Sequence, residues 1–251
     1  MLVAERKDLL LSRLASDGKV VAKDIAAELA VSEDTIRRDL RELADAGLCQ
    51  RVYGGALPVS PAIADYATRQ AVAPQSKQRV ANRAQSLIEP GMTVLLDGGT
   101  TTLAVVHALP ADLACTVITH SPTIACALLD RPTVEVFLLG GRLFRHSAVT
   151  CGAATVEAAR SVSADLFLLG VTGVHPDQGL TTGDAEEAAM KRALAARAAD
   201  TYVLASSEKI GAASRYRVLD VHEVAGLVTD VLGDHPVLTQ LRSAGVPILS
   251  A

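Results

Sequence analysis

The sequence predicts an α/β protein in two pieces, a small helical module closed by a hairpin and a larger body with a mostly parallel, helix-covered sheet. Three observations carry this. Up to about residue 57, short amphipathic stretches precede a glycine-containing hairpin pattern. From residue 74 onward, continuous apolar runs alternate with helical stretches, the pattern of parallel strands buried on both faces. Between them, residues 58–73 hold Pro58 and Pro61 among small side chains, and Pro74 follows, which suits a linker or an arm leading into a helix.

In "ERKDLLLSRLASDGK", Leu9, Leu10 and Leu14 share a helical stripe with Val3, and Asp17-Gly18 ends the helix. "AKDIAAELA" is a second, short helix with Ile25 and Leu29 one turn apart; Ala22 stands where Ser or Thr would cap better. "VSEDTIRRDLREL" is the third. Ser32 suits its N-cap, and Glu33 and Asp34 place negative charge in the first turn, where the helix dipole favours it. At about 100° per residue, Ile36, Leu40 and Leu43 share one narrow face, and Arg37, Arg38 and Arg41 fall on the opposite side. After Gly47, "LCQRVYGGALPV" reads as a hairpin with Leu48 and Val52 inward, Gly54-Gly55 at or near the turn, and Arg51 and Tyr53 toward solvent.

A helix, two helices joined by a short turn, and a basic hairpin make a winged helix-turn-helix. The third helix enters the major groove of DNA and the wing lies over neighbouring backbone. Ser32, Thr35, Arg37, Arg38, Arg41, Arg51 and Tyr53 are the candidate DNA contacts, with Arg37 or Arg38 suited to guanine. The net charge of −4 argues against a nucleic-acid binder, and residues 1–57 carry nine basic against ten acidic side chains. Distribution outweighs the sum, because exposed charges more than about 8 Å apart are largely screened at physiological salt. A module this weakly basic is expected to bind repeated half-sites as a homo-oligomer, a dimer or tetramer.

In the larger piece, "MTVLLDGG", "CTVITHS", "VEVFLLGG", "ADLFLLGV", "TYVLASS", "VAGLVTD" and "VPILS" read as strands. "TTTLAVVHALP", "PTIACALLD" and "DAEEAAMKRALAARAA" read as helices. Ligands in such sheets bind at the carboxyl ends of the strands. There, Asp97, Gly98, Gly99, Thr100, Thr101 and Thr102 combine close backbone approach, hydroxyls and a helix N-terminus, a combination that holds phosphate or another oxyanion. No Gly-Lys-Ser/Thr follows, so this is not a Walker loop. Ser121 lies at another strand end; Arg142, Lys191 and Lys209 are cations suited to phosphate, and Asp97, Asp177 and Glu187 are acids suited to sugar hydroxyls.

Other classes find little support. No stretch reaches the roughly 18 apolar residues of a membrane span. The N-terminus mixes acids and bases with its leucines, unlike a signal peptide, so the expected compartment is the cytoplasm. Cys49, Cys115, Cys126 and Cys151 form no CxxC and read as small buried hydrophobes, and the six histidines form no HxxxH pair. Neither a metal nor a cofactor is expected.

The stretch "VSEDTIRRDLRELADAGLCQRVYGGA" closely resembles the signature of DeoR-type bacterial transcription regulators, through Ser32, Thr35–Leu40, Leu43, Gly47, Arg51 and Gly54–Ala56. The resemblance continues through Asp97–Thr102, Thr119–Ser121, Gly140-Gly141, Gly179–Thr181 with Glu187 and Lys191, and Lys209–Gly211. His120 replaces the usual Asn, and Ser206 stands where Asp is common. The resemblance implies operator DNA as one partner and a phosphorylated sugar or related metabolite as the other, with repression of carbohydrate-metabolism genes relieved by the sugar. The DeoR-type sensor is also similar to ribose-5-phosphate isomerase and glucosamine-6-phosphate deaminase, which raises an enzyme as the alternative. Aldose–ketose isomerisation needs a positioned base. The isomerases carry acids after the strand corresponding to "ADLFLLGVTG", where this chain has Leu169–Gly173, so binding without turnover is expected and no residue is assigned as catalytic.

Overall fold

The computed structural model describes residues 1–251. The first piece holds α1 (Val3–Asp17), β1 (Val20–Val21), α2 (Ala22–Glu28), α3 (Glu33–Asp45), β2 (Gln50–Val52) and β3 (Gly55–Leu57). Its core joins Leu10 and Leu14 of α1, Ile25 of α2, and Ile36, Leu40 and Leu43 of α3 to Val20, Cys49 and Ala56. Gly18 ends α1 in the left-handed conformation (φ 71°). The wing is a three-stranded antiparallel sheet in the order β1-β3-β2, one strand more than the sequence suggests. Gly55 makes that third strand possible, since a Cβ there would lie 1.8 Å from the Val20 carbonyl oxygen.

Three sequence expectations are corrected in this module. Val3 is exposed, and the α1 stripe is completed instead by Arg6, whose Nε and Nη2 donate to both carboxylate oxygens of the buried Asp39 on α3. Leu48 is exposed and Cys49 takes the inward place, because the strand face is set one residue later than its most apolar side chain suggests. The N-cap of α2 is Val21; Ala22 is buried and gives its N–H to the Gly54 carbonyl.

Residues 58–73 carry structure of their own, a 3-10 turn at Pro61–Ile63 and α4 (Tyr66–Ala71). The larger body follows as α5 (Pro74–Gln85), β4 (Thr93–Leu96), α6 (Thr100–Ala108), β5 (Cys115–Thr119), α7 (Pro122–Ala127), β6 (Val134–Leu138), β7 (Arg142–Phe144) and β8 (Val149–Cys151). It continues with α8 (Ala153–Arg160), β9 (Ala164–Gly170), β10 (Gly173–His175), β11 (Gly179–Thr182), α9 (Ala185–Ala195) and β12 (Ala198–Leu204). Last come β13 (Tyr216–Leu219), β14 (Gly226–Thr229), α10 (Pro236–Ser243) and β15 (Ile248–Ser250).

Seven strands, all parallel, form the main sheet in the order β15-β14-β12-β9-β4-β5-β6. These are the seven apolar runs read from the sequence. Period-2 alternation sorts their side chains: Val94, Leu96, Leu166 and Leu168 face α5, α6 and α7, whereas Leu95, Phe167 and Leu169 face α8, α9 and α10. The chain builds outward from β4 through β5 to β6, then crosses back to β9 beside β4 and grows the other way. The β4–β9 boundary is therefore the switch point at which such sheets open a ligand crevice. A smaller antiparallel sheet, β10-β11-β13, and the hairpin β7-β8 stand beside it. Cys126 is exposed, unlike the other three cysteines, because α7 turns that side away from the sheet. No helix is long and apolar enough to cross a membrane.

Candidate functional site: an exposed arginine face and a cationic cleft

Ser32 caps α3, its Oγ accepting from the Thr35 N–H at 3.2 Å and lying 2.8 Å from the Thr35 hydroxyl. That cap fixes the start of a helix whose Ile36, Leu40 and Leu43 are buried and whose Arg37, Arg38 and Arg41 are exposed. The first-turn acids hold two of these arginines in the free protein: Arg37 pairs with Glu33 at 2.6 Å and Arg38 with Asp34 at 3.6 Å. Pairs this exposed contribute little and exchange readily for phosphate. Arg37 and Arg41 line one concavity with Arg51 and Tyr53 of the wing, while Arg38 projects outside it. Tyr53 is fully exposed at the tip of the wing, in the two-residue turn with Gly54.

The second site lies at the β4–β9 switch point. Gly98 and Gly99 follow β4, Gly170 ends β9 with Val171 and Thr172 after it, and together they floor a cleft. Gly99 is the N-cap of α6 at φ 123°, a backbone that glycine adopts without strain. The first backbone bond into the helix runs from the Leu103 N–H to the Gly99 carbonyl, so the N–H groups of Thr100, Thr101 and Thr102 have no backbone acceptor. They form the positive end of the helix dipole, where negative charge is favoured. Lys209, fully buried, reaches the same place and donates from Nζ to the Thr101 Oγ1 at 3.0 Å. Burial draws its pKa down to about 8, further helped by the neighbouring cations and opposed by Glu208.

Asp97 sits behind this floor rather than in it. Its carboxylate is fully buried and accepts from the Gly98 N–H at 2.9 Å, the Gly170 N–H at 2.8 Å and the Lys191 ammonium. It thus ties β4 to β9 and holds Lys191 in the cleft wall, and is not free to take sugar hydroxyls. Burial works against the charge of Lys191, but Asp97 and Glu187 outweigh it and keep the ammonium above its ordinary pKa. Glu187 lines the cleft with Lys191 at 3.3 Å, accepting also from Thr182 at 3.1 Å and Ser147 at 3.2 Å.

Of the effector candidates, the cleft brings together Gly98 to Thr102, Glu187, Lys191 and Lys209. Ser121 is buried and bonded to the Ala148 carbonyl, outside the lining. Arg142 does not reach the cleft: β7 pairs with β8, and its exposed guanidinium binds Glu186. Asp177 is also outside, exposed in the β10-β11 turn. Five polar lining residues are not among the sequence candidates: Arg69 from the expected linker and Lys77 of α5, which had no sequence signal, and Thr172, Thr182 and Glu208, which lie in strand-end stretches. Lys77 is buried and donates to the Arg69 carbonyl; burial lowers its pKa. Ser206 donates to Glu208 at 2.6 Å. His120 is buried 3.5 Å from Asp97, and burial pushes its pKa down to about 4, so its ring is neutral at physiological pH.

A winged helix with outward arginines, joined to an α/β body with a cationic cleft at its switch point, defines a ligand-responsive DNA-binding regulator. Residues 6–62 match the DeoR-like helix-turn-helix domain and residues 72–231 match the DeoR C-terminal sensor domain. The chain belongs to the DeoR family of transcriptional regulators. It is 33% identical to the HTH-type transcriptional regulator GlpR of Haloferax volcanii, over 99% of this chain and 98% of that one. It is likewise 33% identical to the transcriptional repressor GlcR of Bacillus subtilis, over 98% and 95%, and 28% identical to the glycerol-3-phosphate regulon repressor of Escherichia coli, over 94% and 98%. Among solved structures, ribose 5-phosphate isomerase A from Methanocaldococcus jannaschii shares 17% identity, with a TM-score of 0.40 over 53% of each chain. The relatives named here are regulators, and this chain is a DNA-binding transcriptional repressor of that type, not an enzyme.

Proposed function

We propose that the protein represses carbohydrate-metabolism genes in the cytoplasm and releases operator DNA when a phosphorylated sugar occupies the cleft. Residues 1–57 serve as the DNA-binding unit, 58–73 as the connection, and 74–251 as the sensor. Ser32, Thr35, Arg37, Arg38, Arg41, Arg51 and Tyr53 divide the work at the operator: guanidinium groups for base edges and phosphates, the Ser32–Thr35 cap and Tyr53 for backbone positioning. Two or four copies act together, so that recognition helices meet successive half-sites.

One observation carries the ligand class. Three N–H groups without a backbone acceptor at the start of α6 and the buried ammonium of Lys209, bonded to the Thr101 hydroxyl, lie at the same point of the cleft lining. A phosphoryl group suits that point, and Glu187 and Thr182 nearby suit hydroxyls. The name of the glycerol-3-phosphate regulon repressor supports a phosphorylated metabolite. Release requires that the ligand bind the DNA-incompetent arrangement more tightly; moving the balance from 1:99 to 99:1 takes about 10⁴-fold preference. Thermal-shift screening of a sugar-phosphate panel tests the reading. Ribose 5-phosphate, glucosamine 6-phosphate or a related ester should raise the melting temperature of the full chain, and Lys209→Ala should remove that shift while leaving DNA affinity unchanged. A panel without any stabilising phosphate ester contradicts it.

A further inference from the structure

Two groups of the cleft lining are unsatisfied: the Oε2 of Glu208, and the guanidinium of Arg69, whose buried Nε and Nη2 have no hydrogen-bond acceptor. These two nitrogens form one edge of the guanidinium, the edge that grips two oxygens side by side. The same chain shows what that edge does when satisfied: in Arg6, Nε and Nη2 take the two oxygens of Asp39. Of the acids whose charges act on Arg69, Glu187 is committed to Lys191, Thr182 and Ser147, Asp97 to Lys191 and two backbone N–H groups, and Asp65 to the Thr68 N–H; the free Oε2 of Glu208 in the same lining makes no hydrogen bond or ion pair with the Arg69 edge. A buried cationic edge without an acceptor is costly unless an anion from outside the chain completes it.

Its position in the chain gives that edge a consequence. Arg69 lies on α4, twelve residues after β3 of the wing ends at Leu57. The intervening segment is docked on the rim of the cleft: Ser60 donates to the Glu208 carbonyl at 3.3 Å, and the Tyr66 N–H donates to the His146 carbonyl at 2.8 Å. Helix α4 itself packs against α6. We propose that Arg69 is a receptor for the ligand's two-oxygen anion, and that by binding there the ligand clamps the segment leaving the wing onto the cleft, which is how occupancy reaches the DNA-binding module. This rests on the phosphorylated-ligand reading above and deepens it. The class of ligand is one whose phosphoryl group meets the start of α6 and the Arg69 edge together, which a neutral sugar does not.

Hydrogen–deuterium exchange on the full chain, with ribose 5-phosphate and inorganic phosphate as probes, tests this. In the wild type, saturating probe should slow exchange both in the first turn of α6 and across residues 60–71. In Arg69→Gln, affinity should fall about 10- to 100-fold, the loss of hydrogen bonds to a charged group. At saturation α6 should still be protected and residues 60–71 should not. Ligand-free melting should be unchanged or raised in Arg69→Gln, because an unpaired buried charge is gone; a merely structural arginine would lower it. Protection of α6 without residues 60–71 in the wild type overturns the proposal while sparing the ligand reading. Arg69→Gln behaving as wild type also overturns it, and protection of neither segment by either probe removes both readings.

Discussion

Replacing Asp97 with asparagine isolates the group that holds the cleft together. The wild-type carboxylate is fully buried; one oxygen accepts from Gly98, and the other from Gly170 and from Lys191. Asparagine keeps a single acceptor oxygen. Pointed at Gly98, it turns an NH₂ group toward the Gly170 N–H and the Lys191 ammonium, donor against donors; flipped, it abandons Gly98. Removing one partner of a buried ion pair costs about 3–5 kcal/mol. Lys191 retains Glu187 at 3.3 Å, which places the expected loss in the lower half of that range. For a body of this size each kcal/mol moves the melting temperature by about 2–4 °C, so a fall of roughly 6–16 °C is expected. Calorimetry and urea denaturation of the full chain measure it, and adding Lys191→Met and Glu187→Gln to Asp97→Asn should recover a large share, since the whole buried charge cluster is then removed with no ion left unpaired. A loss under about 1 kcal/mol, or no recovery in the triple variant, refutes the assignment of Asp97 as the anchor of the cleft.

Three further outcomes follow from the same geometry. Arg37→Ala or Arg41→Ala should each weaken binding to a selected operator by about 1–3 kcal/mol if the residue reads a base, whereas Arg51→Ala on the wing should mainly lower the salt dependence of binding by about one phosphate; fluorescence anisotropy at several salt concentrations separates the two. Lys209 is charged below its pKa of about 8, so affinity for ribose 5-phosphate should be greatest below pH 8 and fall as pH rises through it, a dependence that Lys209→Arg abolishes in calorimetric titrations. His120 is held neutral down to about pH 4 while the unfolded chain takes up its proton near 6.5. The unfolded state binds more protons in that window, so stability falls as pH drops from 6.5 toward 4, and His120→Asn should flatten the fall in urea denaturation.

What the sequence disclosed followed the strength of its local signals. The seven sheet strands were legible because each is a run of aliphatic side chains too short for a helix and bounded by turn residues, as in "ADLFLLGV". The strands β7, β8, β10, β11 and β13 are three or four residues long and rich in Thr, Gly and Arg, so no apolar pattern marks them. Arg142 illustrates the cost: "GGRL" resembles a strand-end loop, but the hairpin it begins aims the guanidinium at Glu186. The face of α3 was legible because its period has only one solution, with every arginine opposite Ile36, Leu40 and Leu43. The wing strand was misphased by one residue, since nothing local says whether Leu48 or Cys49 faces inward. Arg69 and Lys77 were invisible as ligands because only the tertiary path of residues 60–77 brings them to the cleft. Local composition there describes a linker.

The central claim is that one chain reads DNA with α3 and its wing and is released by an anion in the cleft. The most direct measurement is in vitro selection of duplex DNA by the full chain, followed by anisotropy titration of the selected site with and without saturating ribose 5-phosphate or another stabilising ester from the panel. The expected result is a two-fold repeated site, loss of its binding in the Arg37→Ala/Arg41→Ala variant, and at least tenfold weaker binding with the ester present. A site bound equally well by that variant, or an affinity indifferent to every ester that occupies the cleft, contradicts it.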